Sequence, residues 1–211
     1  LQFSHLVIDL SMGIKVLAIL LIGAASLVLG MGLPVTASYI VLVILAGPAL
    51  QDLGVPIVVA HMIVFWYSQD SNVTPPVSLA SFAAAGVAGA NPMRTAFTSW
   101  KLAKGIYIIP IIMAYRPLLM NGTPFDVITT MLATLVGLIA FAACLDRYFL
   151  DHATWPEVLL LFCAAAGLFW PGVWFDLVGL SLFVAVVLKQ WPRRAAVRER
   201  MRPQPSDQAA T

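Results

Sequence analysis

The sequence predicts an all-α membrane protein, a helical bundle with a re-entrant hairpin and discontinuous helices. Three observations carry this fold class. Apolar residues make up 61% of the chain and charged residues 10%, with a mean hydropathy of +0.92, whereas a soluble domain carries about a quarter charged residues. Fourteen prolines and fourteen glycines fall inside the apolar runs as well as between them, the pattern of interrupted helices rather than of a smooth bundle. The alternating ten-residue strands of an outer-membrane barrel are absent. The 211 residues leave room for about six to eight spans of ~20 residues each. The chain opens at Leu1 with no methionine and no signal-peptide pattern, and reads as the C-terminal part of something longer or as an engineered boundary.

Residues 1 to 11 mix His5 and Asp9 with apolar positions and read as the end of a preceding element or an interfacial segment. From Met12 to Met31 the run is apolar apart from Lys15, long enough to cross most of a bilayer. It ends in Gly30-Met31-Gly32-Leu33-Pro34. Pro34 strips the helical donor from the Gly30 carbonyl, and the two glycines permit backbone angles closed to other residues. Thr36 and Ser38 then bring hydroxyls to the start of a helix running to about Leu50. A polar turn at Gln51-Asp52-Leu53-Gly54 leads through Val55-Pro56 to a second apolar run, Ile57 to Tyr67. Both runs are shorter than a full span. The pair reads either as a re-entrant hairpin of half-helices or as two tilted conventional spans.

The stretch Ser71-Asn72-Val73-Thr74-Pro75-Pro76 organises the rest. Pro75 and Pro76 have no N–H, so the carbonyls of Ser71 and Asn72 lose their helical donors, and Thr74 is pushed out of the α region by the proline that follows it. At membrane depth such a break is tolerated only where it is buried in protein or lines a wet cavity, and in transporters it commonly coordinates a cation or substrate. A proline kink without a ligand is the plainer alternative. The small residues from Ala83 to Ala90 permit close backbone approach, so packing accounts for Gly86 and Gly89. The helix is expected to end near Asn91-Pro92, before a basic amphipathic stretch with Arg94, Trp100, Lys101 and Lys104.

Four further apolar segments are expected at about 105 to 120, 127 to 145, 155 to 170 and 172 to 190. The chain thus divides into a part with broken helices (1–92), an amphipathic segment plus a span (93–120), a C-terminal transmembrane extension (121–191) and a disordered basic tail (192–211). Basic clusters at 94 to 104, at Arg147 and at 193 to 202 are each separated by two expected spans, which puts them and the C-terminus on the cytoplasmic side, with Arg116 opposite. Tryptophans 155, 170, 174 and 191 bracket the last pair of spans at headgroup level. Cys144 and Cys163 have no Cys or His at ligand spacing and read as buried small hydrophobes.

The breaks at Gly30 to Ser38 and at Asp70 to Thr74 share one recipe of helix breakers, freed carbonyls and nearby hydroxyls. Neutral oxygens suit Na⁺, while helix N-termini after Pro34 and Pro76 offer positive dipole ends to an anion. Asp70, an acid at membrane depth, is a functional candidate or an interfacial residue at the end of a half-helix. Ser38, Asp70 and Ser78 are the substrate candidates. His61 reads as a packed, hydrogen-bonded histidine rather than a proton relay. No HExxH, GxSxG, phosphate loop or Cys/His cluster occurs. An intramembrane aspartyl protease has only Asp176 as a second acid, so the chain is not read as an enzyme. The five arginines after Trp191 form a tail, not a nucleic-acid surface.

Three motifs carry a family resemblance: Gly30-Met31-Gly32-Leu33-Pro34-Val35-Thr36-Ala37-Ser38-Tyr39-Ile40, Ser68-Gln69-Asp70-Ser71-Asn72-Val73-Thr74-Pro75-Pro76-Val77, and Ala83-Ala84-Ala85-Gly86-Val87-Ala88-Gly89-Ala90-Asn91-Pro92-Met93-Arg94-Thr95. Residues 12 to 120 resemble the large membrane subunit of tripartite ATP-independent periplasmic (TRAP) transporters, in the fused-permease branch that works with TAXI-type solute-binding proteins. The resemblance implies an elevator-type secondary transporter in a bacterial inner membrane, importing organic acids by Na⁺ symport, with the chain holding the end of the second inverted repeat. It implies no cofactor beyond Na⁺ as the coupling ion. The implied partners are a TAXI-type periplasmic binding protein, the rest of the permease (first repeat and small-subunit portion) and the lipid bilayer. By the same resemblance Gly30, Gly32, Thr36, Ser71, Asn72, Thr74 and Pro75 are the candidate cation ligands, many through main-chain oxygens. Since the first repeat's half of the sites lies outside this chain, the chain alone is not expected to transport. The rival from another class is a non-transporting membrane scaffold whose breaks are packing kinks.

Overall fold

The computed structural model of the protein describes residues 2–200, in which ten α-helices and no strands occur. The chain divides into two compact units, Leu1–Asn121 and Gly122–Thr211. Among the described residues, three helices are long and apolar enough to cross a membrane: Val35–Asp52, Pro124–Asp146 and Val173–Pro192.

The first unit opens with α1 (Gln2–Ser11), a helix of its own. The chain turns at Met12 and Gly13, both at positive φ, so α2 begins only at Lys15 and runs to Gly30, shorter than the expected run from Met12. Helix α3 (Val35–Asp52) follows Pro34 directly and continues through Pro48. Its 18 residues span about 27 Å. Helix α4 (Ile57–Ser68) has 12 residues and spans about 18 Å. The pair expected as two short helices is therefore one span-length helix and one short one, joined by a tight turn with Gly54 at φ +77°.

Buried Ile19 and Ile22 of α2, Leu42 and Leu50 of α3, and Ile63 and Val64 of α4 form the core of this unit. Polar stitches fix the packing: Ser4 Oγ donates to the Leu45 carbonyl at 2.7 Å, and Trp66 Nε1 to that of Ile106 at 3.1 Å. The hydroxyl of Tyr39 meets His61 Nδ1 at 2.9 Å, the packed histidine expected from the sequence.

After the central break come α5 (Leu79–Ala88) and α6 (Pro92–Leu102), the latter capped by the Asn91 side chain, which accepts from the Arg94 N–H. Helix α5 stops at Ala88, because Gly89 takes the left-handed conformation (φ +61°) that closes a helix. No atom of the chain lies within contact distance of a side chain placed at Gly86 or Gly89, so the packing role expected for them is not met among the described residues. The span expected at 105 to 120 is instead a 3-10 turn at Lys104–Tyr107 followed by the seven-residue α7 (Ile109–Tyr115), too short for a hydrocarbon core of about 30 Å. Helix α8 is then the one span-length helix between the 94 to 104 cluster and Arg147, and the count that put both on one side loses a crossing.

The second unit is three helices: α8 (Pro124–Asp146), α9 (Trp155–Phe169) and α10 (Val173–Arg200). Close backbone approach occurs here rather than in α5. A Cβ on Gly179 would come within 2.8 Å of Leu168 Cγ and 2.9 Å of the Ala164 carbonyl oxygen, so α9 and α10 meet where the side chain is missing. Trp155 and Trp191 fall at one end of this antiparallel pair and Trp170 and Trp174 at the other, all exposed. Cys144 is buried, but Cys163 is exposed on α9, against expectation. The tail expected to be disordered from 192 is helical to Arg200; its remainder lies outside the described residues.

Glu157, fully buried in the first turn of α9, ties this unit together. Its Oε2 accepts from the Thr154 N–H at 3.0 Å and from Gln190 Nε2 at 3.1 Å, and its Oε1 lies 3.2 Å from Lys189 Nζ. Gln190 Oε1 in turn accepts from the Leu150 N–H. Removing the carboxylate leaves a buried amide without its acceptor. Glu157→Ala is expected to lower the thermal unfolding temperature of the purified protein in detergent by the equivalent of about 1–3 kcal/mol, read by circular dichroism, with Glu157→Gln less damaging.

Candidate functional site

Two breaks in the first unit define the site. At the end of α2 the hydrogen bonding tightens: the N–H groups of Met31 and Gly32 reach back three residues, to Val28 and Leu29. The residue four beyond Gly30 is Pro34, so the Gly30 carbonyl has no helical donor, and no other backbone donor reaches it. The second break follows α4. Asp70–Asn72 form one 3-10 turn, and the Asp70 carbonyl accepts from the N–H groups of both Val73 and Thr74. Ser71 and Asn72 have Pro75 and Pro76 four residues on, and no backbone donor reaches their carbonyls either. The Pro75–Pro76 peptide is cis. Helix α5 begins only at Leu79, two residues later than a start directly after Pro76 would have it, with Ser78 in the left-handed conformation at φ +39°.

The breaks meet. A Cβ built on Gly30 would lie 2.6 Å from both Cβ and Oγ of Ser71, which no real side chain could occupy. Gly23, two turns earlier on the same face of α2, lies against the ring of Tyr67 at 3.2 Å by the same measure. Helix α2 therefore lies along the end of α4 and its 3-10 turn, with its last residue against Ser71. Three carbonyls freed by proline, on Gly30, Ser71 and Asn72, come from the two elements that touch there.

The remaining expected residues divide. Thr74 is buried, with its Oγ1 2.7 Å from the hydroxyl of Tyr107, and with Pro75 it lines an open cleft of ≈ 320 Å³ whose other walls include Met93, Phe97 and Trp100 of α6. Ser38 and Ser78 are fully buried with hydroxyls that have no partner. Asp70 is 1% exposed, and neither carboxylate oxygen has a hydrogen-bond partner. Gly32 and Thr36, by contrast, are exposed, and open space surrounds Gly32. They are not drawn into the contact between the breaks.

Sequence reasoning missed three residues. Ser81 is buried one turn beyond Ser78 with an unpartnered hydroxyl, and Ser26 is in the same state one turn before Gly30; helical spacing from the residues already chosen points to both. Tyr107 has no such signal, because its bond to Thr74 crosses 33 positions of sequence. No group of three or more His, Cys, Asp or Glu that could hold a metal occurs among the described residues. Oxygen donors here are main-chain carbonyls, hydroxyls and one acid, a set suited to a hard cation rather than to a soft, thiolate- or imidazole-seeking metal.

A helical membrane protein whose interrupted helices meet at their breaks is of the kind in which carriers form their binding sites. Residues 1–120 match the family described as tripartite ATP-independent periplasmic transporter, DctM component, and the chain belongs to that family. It is a TRAP permease component, part of a transporter, and the family implies association with a solute-binding protein and further subunits. Residues 127–195 match a domain of unknown function, DUF3394. No curated protein and no solved structure matches the chain.

The contact between the breaks can be probed directly. Gly30→Ala is expected to destabilise the purified protein by about 1–3 kcal/mol, as overpacking does, and Ser71→Gly to restore most of the loss in the double variant. Thermal unfolding of the single and double variants measures the coupling. Additive effects would mean that the two residues do not touch.

Proposed function

We propose that the chain forms part of a secondary permease that imports organic acids by Na⁺ symport, working with a TAXI-type periplasmic binding protein in a bacterial inner membrane. The single observation that carries this reading is Gly30 packed against Ser71, which unites two sets of carbonyls that prolines have left without donors. Main-chain oxygens of Gly30, Ser71 and Asn72, with Thr74 and Pro75 beside them, coordinate the coupling ion. Gly32 and Thr36, exposed on this chain, complete the shell only with a neighbouring element.

A carboxylate substrate is bound at the start of α5. There the side chains of Ser78 and Ser81 lack partners, and the first-turn amides carry the positive end of the helix dipole. Ser38, buried on α3 with an unpartnered hydroxyl, remains a separate substrate candidate. Movement of the broken-helix unit as an elevator would carry ion and substrate together. Convergence of the breaks supports this over a scaffold role, in which kinks have no reason to meet. The arginines that follow the last span-length stretch, from Arg193 to Arg202, support a cytoplasmic C-terminus.

Uptake of a panel of radiolabelled mono- and dicarboxylates by the assembled transporter with its binding protein tests the proposal. Replacing Na⁺ by choline is expected to abolish uptake, and Thr74→Ala to slow it about tenfold, the loss of roughly 1.4 kcal/mol of ion or transition-state binding. Uptake sustained in choline by a proton gradient alone would remove sodium from the mechanism.

A further inference from the structure

We propose that the groove between the first halves of α8 and α10 holds one acyl chain of a phospholipid whose headgroup carries a primary ammonium. The groove is open and measures ≈ 320 Å³, within the range of small-ligand pockets, about 300–1,000 Å³. Leu132 and Val136 of α8 and Leu177 and Leu180 of α10 line its sides, and buried Leu168 of α9 its floor. Thr129 on the α8 side donates its hydroxyl proton to the Phe125 and Asp126 carbonyls of its own helix, so it offers the groove no free donor.

Two glycines build the groove. A Cβ on Gly137 of α8 would lie 3.2 Å from Leu168 Cβ, and one on Gly179 of α10 would lie 2.8 Å from Leu168 Cγ. Leu168 is thus wedged between the outer helices where both lack side chains. Helix α9 packs along both of them, whereas α8 and α10 touch each other little. On the N-terminal side of the two glycines the groove opens.

Length, width and charge select the occupant. From Phe125 at the mouth to Val136, α8 rises about 16 Å, half of a hydrocarbon core of about 30 Å. The groove therefore begins at headgroup level, where exposed Trp170 and Trp174 lie, and closes near the midplane. A transmembrane helix is about 10 Å wide and needs the whole thickness. It does not fit a groove that closes halfway, and a chain from one leaflet does. Asp176 is on the groove wall in the first turn of α10, and Asp126, bonded to the Thr123 hydroxyl, stands in the first turn of α8 at the same end. Arg147 and Lys189 fall at the far ends of the two spans. Anionic lipids are held by lysine and arginine, and neither lines this groove. A primary ammonium instead gives Asp176 a charge-assisted hydrogen bond, while the lipid phosphate meets the first-turn N–H groups of α10 at the positive end of its dipole. The groove belongs to the second unit, and its occupancy does not rest on the permease reading.

Photolabelling of the purified chain tests the site, in phosphatidylcholine vesicles with a trace of phosphatidylethanolamine that carries a diazirine at the end of one acyl chain. Mass spectrometry reads the labelled residues. Labelling is expected to concentrate at Leu132, Val136, Leu177 and Leu180. Unlabelled phosphatidylethanolamine is expected to displace it about tenfold better than phosphatidylglycerol, the worth of a hydrogen bond to a charged group. Asp176→Asn erases that preference and keeps chain binding. Leu180→Trp, at the exposed rim, and Ala133→Leu, at the buried lining, each fill the groove and remove the labelling, with circular dichroism establishing that the variants are folded. Label spread evenly over the exposed faces of α8, α9 and α10 means ordinary lipid contact and overturns the proposal. So do equal displacement by the two lipids and a preference that survives Asp176→Asn. A dimer in detergent that Leu180→Trp dissociates assigns the groove to a second copy, and loss of labelling in the assembled transporter assigns it to another subunit; either result overturns the lipid site.

Discussion

Everything in the first unit that bears on function depends on one steric allowance, the missing side chain at Gly30. With a Cβ there, Ser71 could not occupy its place, and the end of α2 would have to move off the 3-10 turn that follows α4. The two breaks would then be separate irregularities. Because they touch, the cost of leaving carbonyls without donors falls on two segments at one location. Polar backbone in an apolar surrounding is tolerated where protein or a wet cavity encloses it, and concentrating it in one place limits how much must be enclosed. Gly23 repeats the device seven residues earlier against Tyr67, so α2 is held close along two turns rather than at one point.

Proline alone does not make a break in this chain. Pro48 sits inside α3 and Pro192 inside α10, and both helices run on. Around Pro48 the helix is held by buried Ala46, Gly47, Ala49 and Leu50, and packing outweighs one lost hydrogen bond. Pro34 follows two glycines within four residues, and Pro75-Pro76 follow Asp70, Ser71 and Asn72, polar residues that favour turns over helix. A break forms where the missing donor and the local conformational preference agree, and where no core residue holds the helix in register.

That distinction explains what could be read from the sequence. Membrane class, helical content and the position of both breaks follow from composition and local chemistry, and the local chemistry of 30 to 34 and 70 to 76 is self-contained. Element lengths were less legible: α3 outran its expected limits, while 105 to 120 shortened to a turn and α7, because the apolar run there carries Pro110 and Gly105, whose effect depends on packing. The small-residue stretch at 83 to 90 has the composition of a packing face, yet Val87 is 93% exposed. The close approach occurs at Gly179, which had no comparable motif around it. Composition records that a helix can be approached closely and carries no information about which partner does so. Tyr107, joined to Thr74 across 33 residues, is beyond local pattern for the same reason.

Among the described residues two acids are buried almost completely, and their surroundings differ in kind. Glu157 in the second unit has donors for both oxygens, from a main-chain N–H, an amide and an ammonium group. Its charge is answered inside the protein, and it serves as a tie between α9 and α10. Asp70 in the first unit has no donor at either oxygen and faces a cavity. Burial of an acid with a complete set of partners can be understood from folding alone. Burial of one with none leaves a desolvation cost that no hydrogen bond in the folded chain offsets. The two acids thus separate a carboxylate whose burial is explained by the partners packed around it from one, at the break, whose burial packing does not explain.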